Sequence, residues 1–367
     1  MPETLYDLSL PELEARIVAL NHPKYRARQV WEWAYHHLVA SYDEMRNVPQ
    51  ALRSQLSIEV PFPVLDTMRE LSSADGLTRK RLLQLRDNTL IESVLMLYDP
   101  RSDSRGRATV CVSSQAGCAM GCNFCATGQA GFERNLTTGE IIAQIVAFAR
   151  EQKESGGQHL TNVVFMGMGE PMVNYSAVWH AVETLHSPEG LNMAARHITI
   201  STVGVIPGIR KLAEESLQVG LAVSLHAPDD ALRQSMISTA HRYPLAEIVD
   251  ACRDYIEKTH RRVTFEYCLI DGVNDSPDQA RALGALLKGL NCHVNLIPVN
   301  PTLDDSIRRP ARQRTLAFQR ELAARGVPCT VRVEKGVEIS AACGQLRPPW
   351  APESEIELVD ARTMQQS

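Results

Sequence analysis

Arg107-Ala-Thr-Val-Cys-Val-Ser-Ser-Gln-Ala-Gly-Cys118-Ala-Met-Gly-Cys122-Asn-Phe-Cys125 is a short β-branched run that opens directly into a polar loop holding three cysteines. A short apolar run bounded by turn residues predicts a buried strand, here over 108–112. The same rhythm then repeats. Further strands are expected over 162–166, 198–202, 220–225, 262–270 and 293–299, with an extra one over 330–333. Helical periodicity fills the gaps at 138–150, 176–186, 207–217, 244–259, 276–290 and 311–325. Strands separated by crossover helices make a parallel sheet with right-handed connections. Six such units predict an α/β fold, a partial (β/α)6 barrel related to the eight-fold one.

In parallel α/β folds the functional groups gather beyond the carboxyl ends of the strands. The polar and glycine-rich clusters of this chain fall there. The cysteine loop follows the first strand and Gly167-Met-Gly-Glu170-Pro the second. Ser201 ends the third, Ser224-Leu225-His226 ends the fourth, Asp271-Gly-Val-Asn274 follows the fifth and Asn300-Pro301 the sixth. One rim is therefore expected to carry the chemistry.

Ahead of the barrel the first sixty residues read as helical, with a start at Ser9 and an amphipathic stretch over 26–39. Pro61-Phe-Pro63 breaks that pattern, and apolar runs on either side of Arg86-Asp87-Asn88 predict a hairpin. The expected division is a helical accessory domain over 1–62, a β-hairpin extension over 63–106, the barrel with a C-terminal loop over 107–350 and a tail over 351–367. The chain of 367 residues is 44% hydrophobic and 22% charged, with a net charge of -5, so any nucleic-acid contact must rest on local basic patches. The start lacks a basic region followed by an apolar run, and no stretch is apolar enough for a membrane span. A cytoplasmic, membrane-free protein is expected.

Nine cysteines, three of them bunched at 118, 122 and 125, do not read as a secreted disulfide framework. Thiolates hold zinc, copper(I) or iron–sulfur clusters. Zinc would call for a fourth ligand, and no histidine lies near in sequence. Three thiolates on a 4Fe-4S cluster leave one iron open for substrate. Cys111 and Cys343, outside any metal-like spacing, read by themselves as small buried hydrophobes. Glu92 reads as a solvent-facing strand carboxylate, and His226 as a satisfied core histidine.

The Cys-x3-Cys-x2-Cys run with Phe124 before its last cysteine resembles the radical S-adenosylmethionine superfamily. The wider stretches 111–128 and 131–140, with Gly167–Pro171, Ser224–His226 and Ala341-Ala-Cys343-Gly-Gln-Leu346, resemble its RlmN/Cfr group of RNA adenine methyltransferases. The resemblance implies a 4Fe-4S cluster on Cys118, Cys122 and Cys125, and S-adenosylmethionine held by Gly169, Glu170, Ser201, Ser224, Leu225, His226 and Asn300. It further implies that Cys343 takes a methyl group from one S-adenosylmethionine. A second is cleaved at the cluster to a 5′-deoxyadenosyl radical, and the activated methyl adds to adenine. Cys111 then resolves the adduct as a disulfide with Cys343, while Glu92 takes the ring proton.

The partners so implied are 23S rRNA and tRNA, with a flavodoxin or ferredoxin as electron donor and a monomeric chain. Methylation at carbon 2 is the reading preferred here, with the Gly128-Gln-Ala-Gly-Phe132 wording in its favour. Methylation at carbon 8, or a zinc-stabilised RNA-binding protein without catalysis, are the alternatives. Lys24-Tyr-Arg-Ala-Arg-Gln-Val-Trp31-Glu-Trp33 resembles the family's RNA-holding accessory domain, and Arg308, Arg309, Arg312 and Arg314 read as a solvated helix face. Ser238-Thr239-Ala240 and Glu338 depart from the group's usual residues.

Overall fold

A Ser-x-x-Glu pattern starts the first helix. In the computed structural model, which describes residues 3–99, 106–302, 304 and 306–347, Ser9 and Glu12 cap each other's backbone at the head of α1 (Leu10–Ala19). Helix α2 (Arg26–Glu32) stops earlier than its periodicity predicts. It runs into a π turn over Trp33–His37, and Leu38 adopts a left-handed φ of 60° that ends the helical path. Helix α3 (Gln50–Glu59) completes a helical unit whose interior includes Leu13, Ile17, Val30, Trp31, Leu52 and Leu56. This unit packs on the barrel. Asp7 accepts the Gly139 N–H at 2.6 Å, at the N-terminus of the helix Thr138–Glu154, where a carboxylate also meets the helix dipole.

Four antiparallel strands follow: β1 (Leu65–Ser72), β2 (Thr78–Leu85), β3 (Leu90–Tyr98) and β4 (Arg107–Cys111). The expected hairpin is β2–β3, with Asn88 at φ 67° in its turn. After β4 come β5 (Gln115–Gly117), α4 (Ala126–Ala130) and β6 (Phe132–Asn135), a small β5–β6 hairpin that brackets the cysteine loop. The alternating part then runs α5 (Thr138–Glu154), β7 (Asn162–Phe165), α6 (Tyr175–His186), β8 (Ile198–Thr202), α7 (Ile206–Glu214), β9 (Gly220–Ser224), α8 (Asp230–Met236), α9 (Leu245–Thr259), β10 (Val263–Leu269), α10 (Pro277–Leu286), β11 (Cys292–Pro298), α11 (Arg312–Ala323) and β12 (Cys329–Val331).

All the long strands belong to one sheet, in the order β1-β2-β3-β4-β7-β8-β9-β10-β11-β12. From β4 onward every pairing is parallel. The six expected strands and the extra one are all present, each within two residues of the predicted bounds. The sheet is an open barrel, because β4 and β12 are not neighbours in it. The segment 335–347 returns across that opening: Lys335 donates to the Leu97 carbonyl on β3, and Lys80 on β2 donates to the Ser340 carbonyl, each at 3.0 Å. Residues 351–367 lie outside the described residues.

Candidate active site

Parallel strands deliver their carboxyl ends to one rim, and two adjoining cavities open there. The larger, with about 950 Å³ of space open to solvent, is lined by Cys118, Cys122, Cys125, Gly169, Glu170, Ser201, Ser224, His226, Asn300 and Cys343, among others. The second, about 760 Å³, contains Cys111 together with Met96 and Tyr98. Cys125, Asn300, Arg332 and Cys343 line both. The chain thus brings together the three loop cysteines, the strand-end polar groups and both distant cysteines.

The cysteine loop is fastened from several sides. Ser238 donates to the Met120 carbonyl at 3.0 Å, and Thr239 reaches the same oxygen. Gly121, at φ 62°, is closely approached by the Ser238 side chain. The unusual Ser238-Thr239 pair therefore buttresses the loop. Burial pushes the Cys118 thiol up to about 12, raises Cys125 and raises Cys122 further. Bare thiolates are disfavoured in such a place unless a metal supplies positive charge. Among the described residues no three His, Cys, Asp or Glu side chains are grouped to hold a single metal ion. Three soft sulfurs line one cavity, a donor set that suits an iron–sulfur cluster.

Glu170 accepts N–H bonds from Val203 at 2.7 Å and Met172 at 3.0 Å, and burial lifts its carboxyl to about 7 despite them. Its own N–H is held by the Gln115 side chain at 2.8 Å. Gly169 precedes it at φ 102°, where a Cβ would come within 2.5 Å of the Gln115 Cβ. Ser201 donates to the Phe165 carbonyl at 2.6 Å. His226, also at positive φ, accepts the Cys268 N–H at 2.9 Å and meets the Phe124 ring edge-on at 4.9 Å; burial holds its imidazole down to about 3, so it is neutral. Two buried acceptors, Asn300 Oδ1 and Glu266 Oε2, belong to residues of the cavity wall and have no hydrogen-bond partner in the protein. A ligand rich in N–H and O–H donors, as S-adenosylmethionine is, matches that wall.

Two predicted residues sit elsewhere. Leu225 is fully buried in the apolar core, with its N–H on the Glu266 carbonyl, so only its backbone is left to meet a ligand. Glu92 is not solvent-facing. It is fully buried and lines neither cavity; Lys80 pairs with its Oε1 at 3.0 Å, and Arg347 N–H donates to its Oε2 at 2.6 Å. Cys111 is buried beside Cys343, and burial first, with that neighbour second, pushes its thiol up to about 12.

Residues 112–283 match the model of the radical SAM superfamily, and residues 4–60 match that of the ribosomal RNA large subunit methyltransferase N-terminal domain. A probable dual-specificity RNA methyltransferase RlmN of Roseiflexus sp. (strain RS-1) is 48% identical, over 93% of this chain and 95% of that relative. The chain belongs to the RlmN family of radical S-adenosylmethionine RNA methyltransferases. The ribosomal RNA large subunit methyltransferase N of Nitrosopumilus maritimus (strain SCM1) is also 48% identical, over 94% of this chain and 98% of its own length. A solved radical SAM methyltransferase from Sphaerobacter thermophilus superposes with a TM-score of 0.91 at 53% identity, covering 94% and 99% of the two chains. The cofactors of an RlmN-type enzyme are a 4Fe-4S cluster and S-adenosylmethionine. The three loop thiols suit the first, and the donor-hungry wall suits the second.

Several residues of this wall belong to no sequence motif. Arg332, at the end of β12, lies where the two cavities meet, and the Cys343 sulfur and then the Glu266 carboxylate raise its guanidinium against the effect of burial. Glu266 looked like any strand residue. The arginines over 308–314 are exposed, but Arg309 pairs with Glu334, and Arg314 pairs with Asp275 at 2.5 Å. Trp31 is buried in the helical unit, as a core residue rather than a stacking platform. Among the described residues no helix is long and apolar enough to cross a membrane.

Proposed function

We propose that this chain methylates carbon 2 of adenine in 23S rRNA, at the peptidyl-transferase centre, and in tRNA at the adenosine 3′ of the anticodon. The observation that carries the reading is the position of Cys343. Cys343 lines both the cavity of the three loop cysteines and the cavity of Cys111. A methyl carrier has to meet a donor, a substrate and a resolving thiol in turn, and a residue at such a junction can do so with little movement.

In this reading Cys118, Cys122 and Cys125 hold the cluster, which when bound supplies the electron that opens S-adenosylmethionine. Gly169 and Glu170 receive the cofactor's amino group, since a carboxylate suits an ammonium. Ser201, Ser224, the Leu225 backbone, His226 and Asn300 hold the remainder. The Cys343 sulfur takes a methyl from one S-adenosylmethionine and presents it to adenine. Glu92 accepts the ring proton, and Cys111 forms a disulfide with Cys343 as the methylated base leaves. The helical unit over 1–62 holds RNA, a flavodoxin or ferredoxin delivers electrons, and the monomer acts in the cytoplasm. Support comes from the names of the relatives, one of which specifies dual-specificity RNA methylation.

The test is mass mapping of modified nucleosides in ribosomal and transfer RNA from cells with and without the protein. 2-Methyladenosine that appears only with the protein is expected. A methyl group on carbon 8 would overturn the position assigned.

A further inference from the structure

A permanently charged side chain that is only 1% exposed needs an ion-pair partner or a full set of hydrogen bonds, and Arg233 on α8 has neither. Its guanidinium donates to the Tyr243 carbonyl at 3.1 Å and to the Val203 carbonyl, and its buried Nε–H meets no acceptor in the protein. No ion pair to it is present among the described residues; Asp230, on the same helix, turns Oδ1 to the Leu245 N–H at 2.8 Å. Arg233 stands behind the cysteine loop. Ile237 donates its N–H to the Arg233 carbonyl at 2.9 Å and forms an isolated antiparallel bridge with Cys122, while the Asn123 N–H reaches the Met236 carbonyl at 3.0 Å. Arg233 and Met120, which lies between Cys118 and Cys122, line one small cavity of about 400 Å³. Val203 lines both that cavity and the large one of the three loop cysteines. Met120, Cys122, Met236 and Ile237 pack together here in one buried apolar cluster, and a charge acts through such surroundings with little screening.

From this placement we infer that Arg233 raises the reduction potential of the iron–sulfur cluster, its buried positive charge favouring the reduced form. The inference rests on the function proposed above, in which Cys118, Cys122 and Cys125 hold the cluster. A cluster on three thiolates is anionic, and the electron it takes up adds one more negative charge; net charge and burial set such potentials. Arg233 does not titrate in the process, since a guanidinium keeps its proton. Burial presses it toward neutrality, and Asp230 first and Cys122 second oppose that. On the loop, burial above all raises the Cys122 thiol and Glu170 adds to it, while Arg233 acts in the opposite sense. On the cavity wall, burial first and Arg233 second keep the His226 imidazole neutral. Arg233 is thus a cation acting on both the loop and the wall, against the anionic Glu170 and partly offset by Asp230. Its two carbonyl bonds could also serve simply to tie the segments of Val203 and Tyr243 together, and the potential separates that role from the charge.

The experiment compares the full chain, anaerobically reconstituted and without S-adenosylmethionine, as wild type, R233K, R233Q and R233M. Iron and sulfide are counted per chain, and a redox titration followed by electron paramagnetic resonance of the reduced cluster reads the potential. R233Q and R233M should hold as much iron and sulfide as wild type and be about tenfold harder to reduce, which for one electron is a potential about 59 mV lower. R233K, which loses the planar fork but keeps a positive charge, should stay within about threefold of wild type. Neutral variants at the wild-type potential, or R233K shifted as far as R233Q, would overturn the inference, since a purely structural tie would move both kinds of variant alike. If neither neutral variant holds the cluster, D230N decides: it leaves Arg233 and its carbonyl bonds in place and removes the charge that offsets it, so reduction should become about threefold easier. No such rise would overturn the inference. A wild type that binds no iron, or a Cys122→Ala protein that keeps the whole cluster, would refute the cysteine assignment of the proposed function and this inference with it. A loaded wild type with unshifted variants refutes the inference alone.

Discussion

Gly169→Ala isolates the geometry of the cofactor wall. At φ 102° a side chain is strained wherever it points, and the new Cβ would meet the Gln115 Cβ at 2.5 Å and its backbone N at 2.8 Å. Backbone strain at such an angle costs about 1–3 kcal/mol, and overpacking a filled site a similar amount. Because one local shift relieves part of both, the sum should be about 3 kcal/mol. Gln115 cannot yield freely, since its Oε1 holds the Glu170 N–H. Its displacement moves the carboxylate assigned to the amino group of S-adenosylmethionine. A loss of about 1.4 kcal/mol in that contact weakens binding tenfold. Gly76→Ala is the internal control: φ is 69°, nothing lies within 4 Å of the added carbon, and only a backbone cost of about 1–2 kcal/mol applies. Urea denaturation and equilibrium dialysis of S-adenosylmethionine with the reconstituted protein measure the two effects. A Gly169→Ala protein as stable as Gly76→Ala, with unchanged cofactor affinity, would refute the reasoning.

Three further outcomes are expected. Cys125→Ala should abolish bound iron and sulfide after anaerobic reconstitution and leave the far-ultraviolet circular dichroism intact. Cys111→Ala should trap a covalent RNA adduct visible on a denaturing gel, and Cys111→Ala/Cys343→Ala should trap none. His226 should shape stability in acid. Its folded value near 3 lies below the unfolded 6.5, so the unfolded chain alone takes the proton as pH falls and stability drops below pH 6.5. At about 1.4 kcal/mol per pH unit the loss reaches about 2 kcal/mol at pH 5. His226→Gln should lose that much less between pH 7 and pH 5 in urea titrations.

The barrel was legible because its strands are rich in apolar residues, as in Gly220–Ser224 and Val263–Leu269, and are bounded by polar turns. Edge strand β1 was not: its exposed Asp66 and Glu70 and half-buried Arg69 give no apolar alternation toward a core. Helix α8 and the β5–β6 hairpin are too short to show a period. In the site, residues tied to a motif could be placed, from Cys118 to Glu170. What escaped was pairing across register. Glu92 passed for a surface residue because its partner stands twelve positions earlier, on another strand, and its second contact comes from Arg347. Arg332 escaped likewise, since nothing near it in sequence foretells a place beside Cys343.

The contacts that close the barrel's seam join residues 255 and 260 positions apart, Arg347 to Glu92 and Ser340 to Lys80. A chain emerges from the ribosome in order, and N-terminal parts fold first. The three loop cysteines are therefore made, and the strand before them can pair, while the wall bearing Cys343 has yet to be synthesised. The seam of the barrel therefore stays open during biogenesis until the segment that bears Cys343 is made.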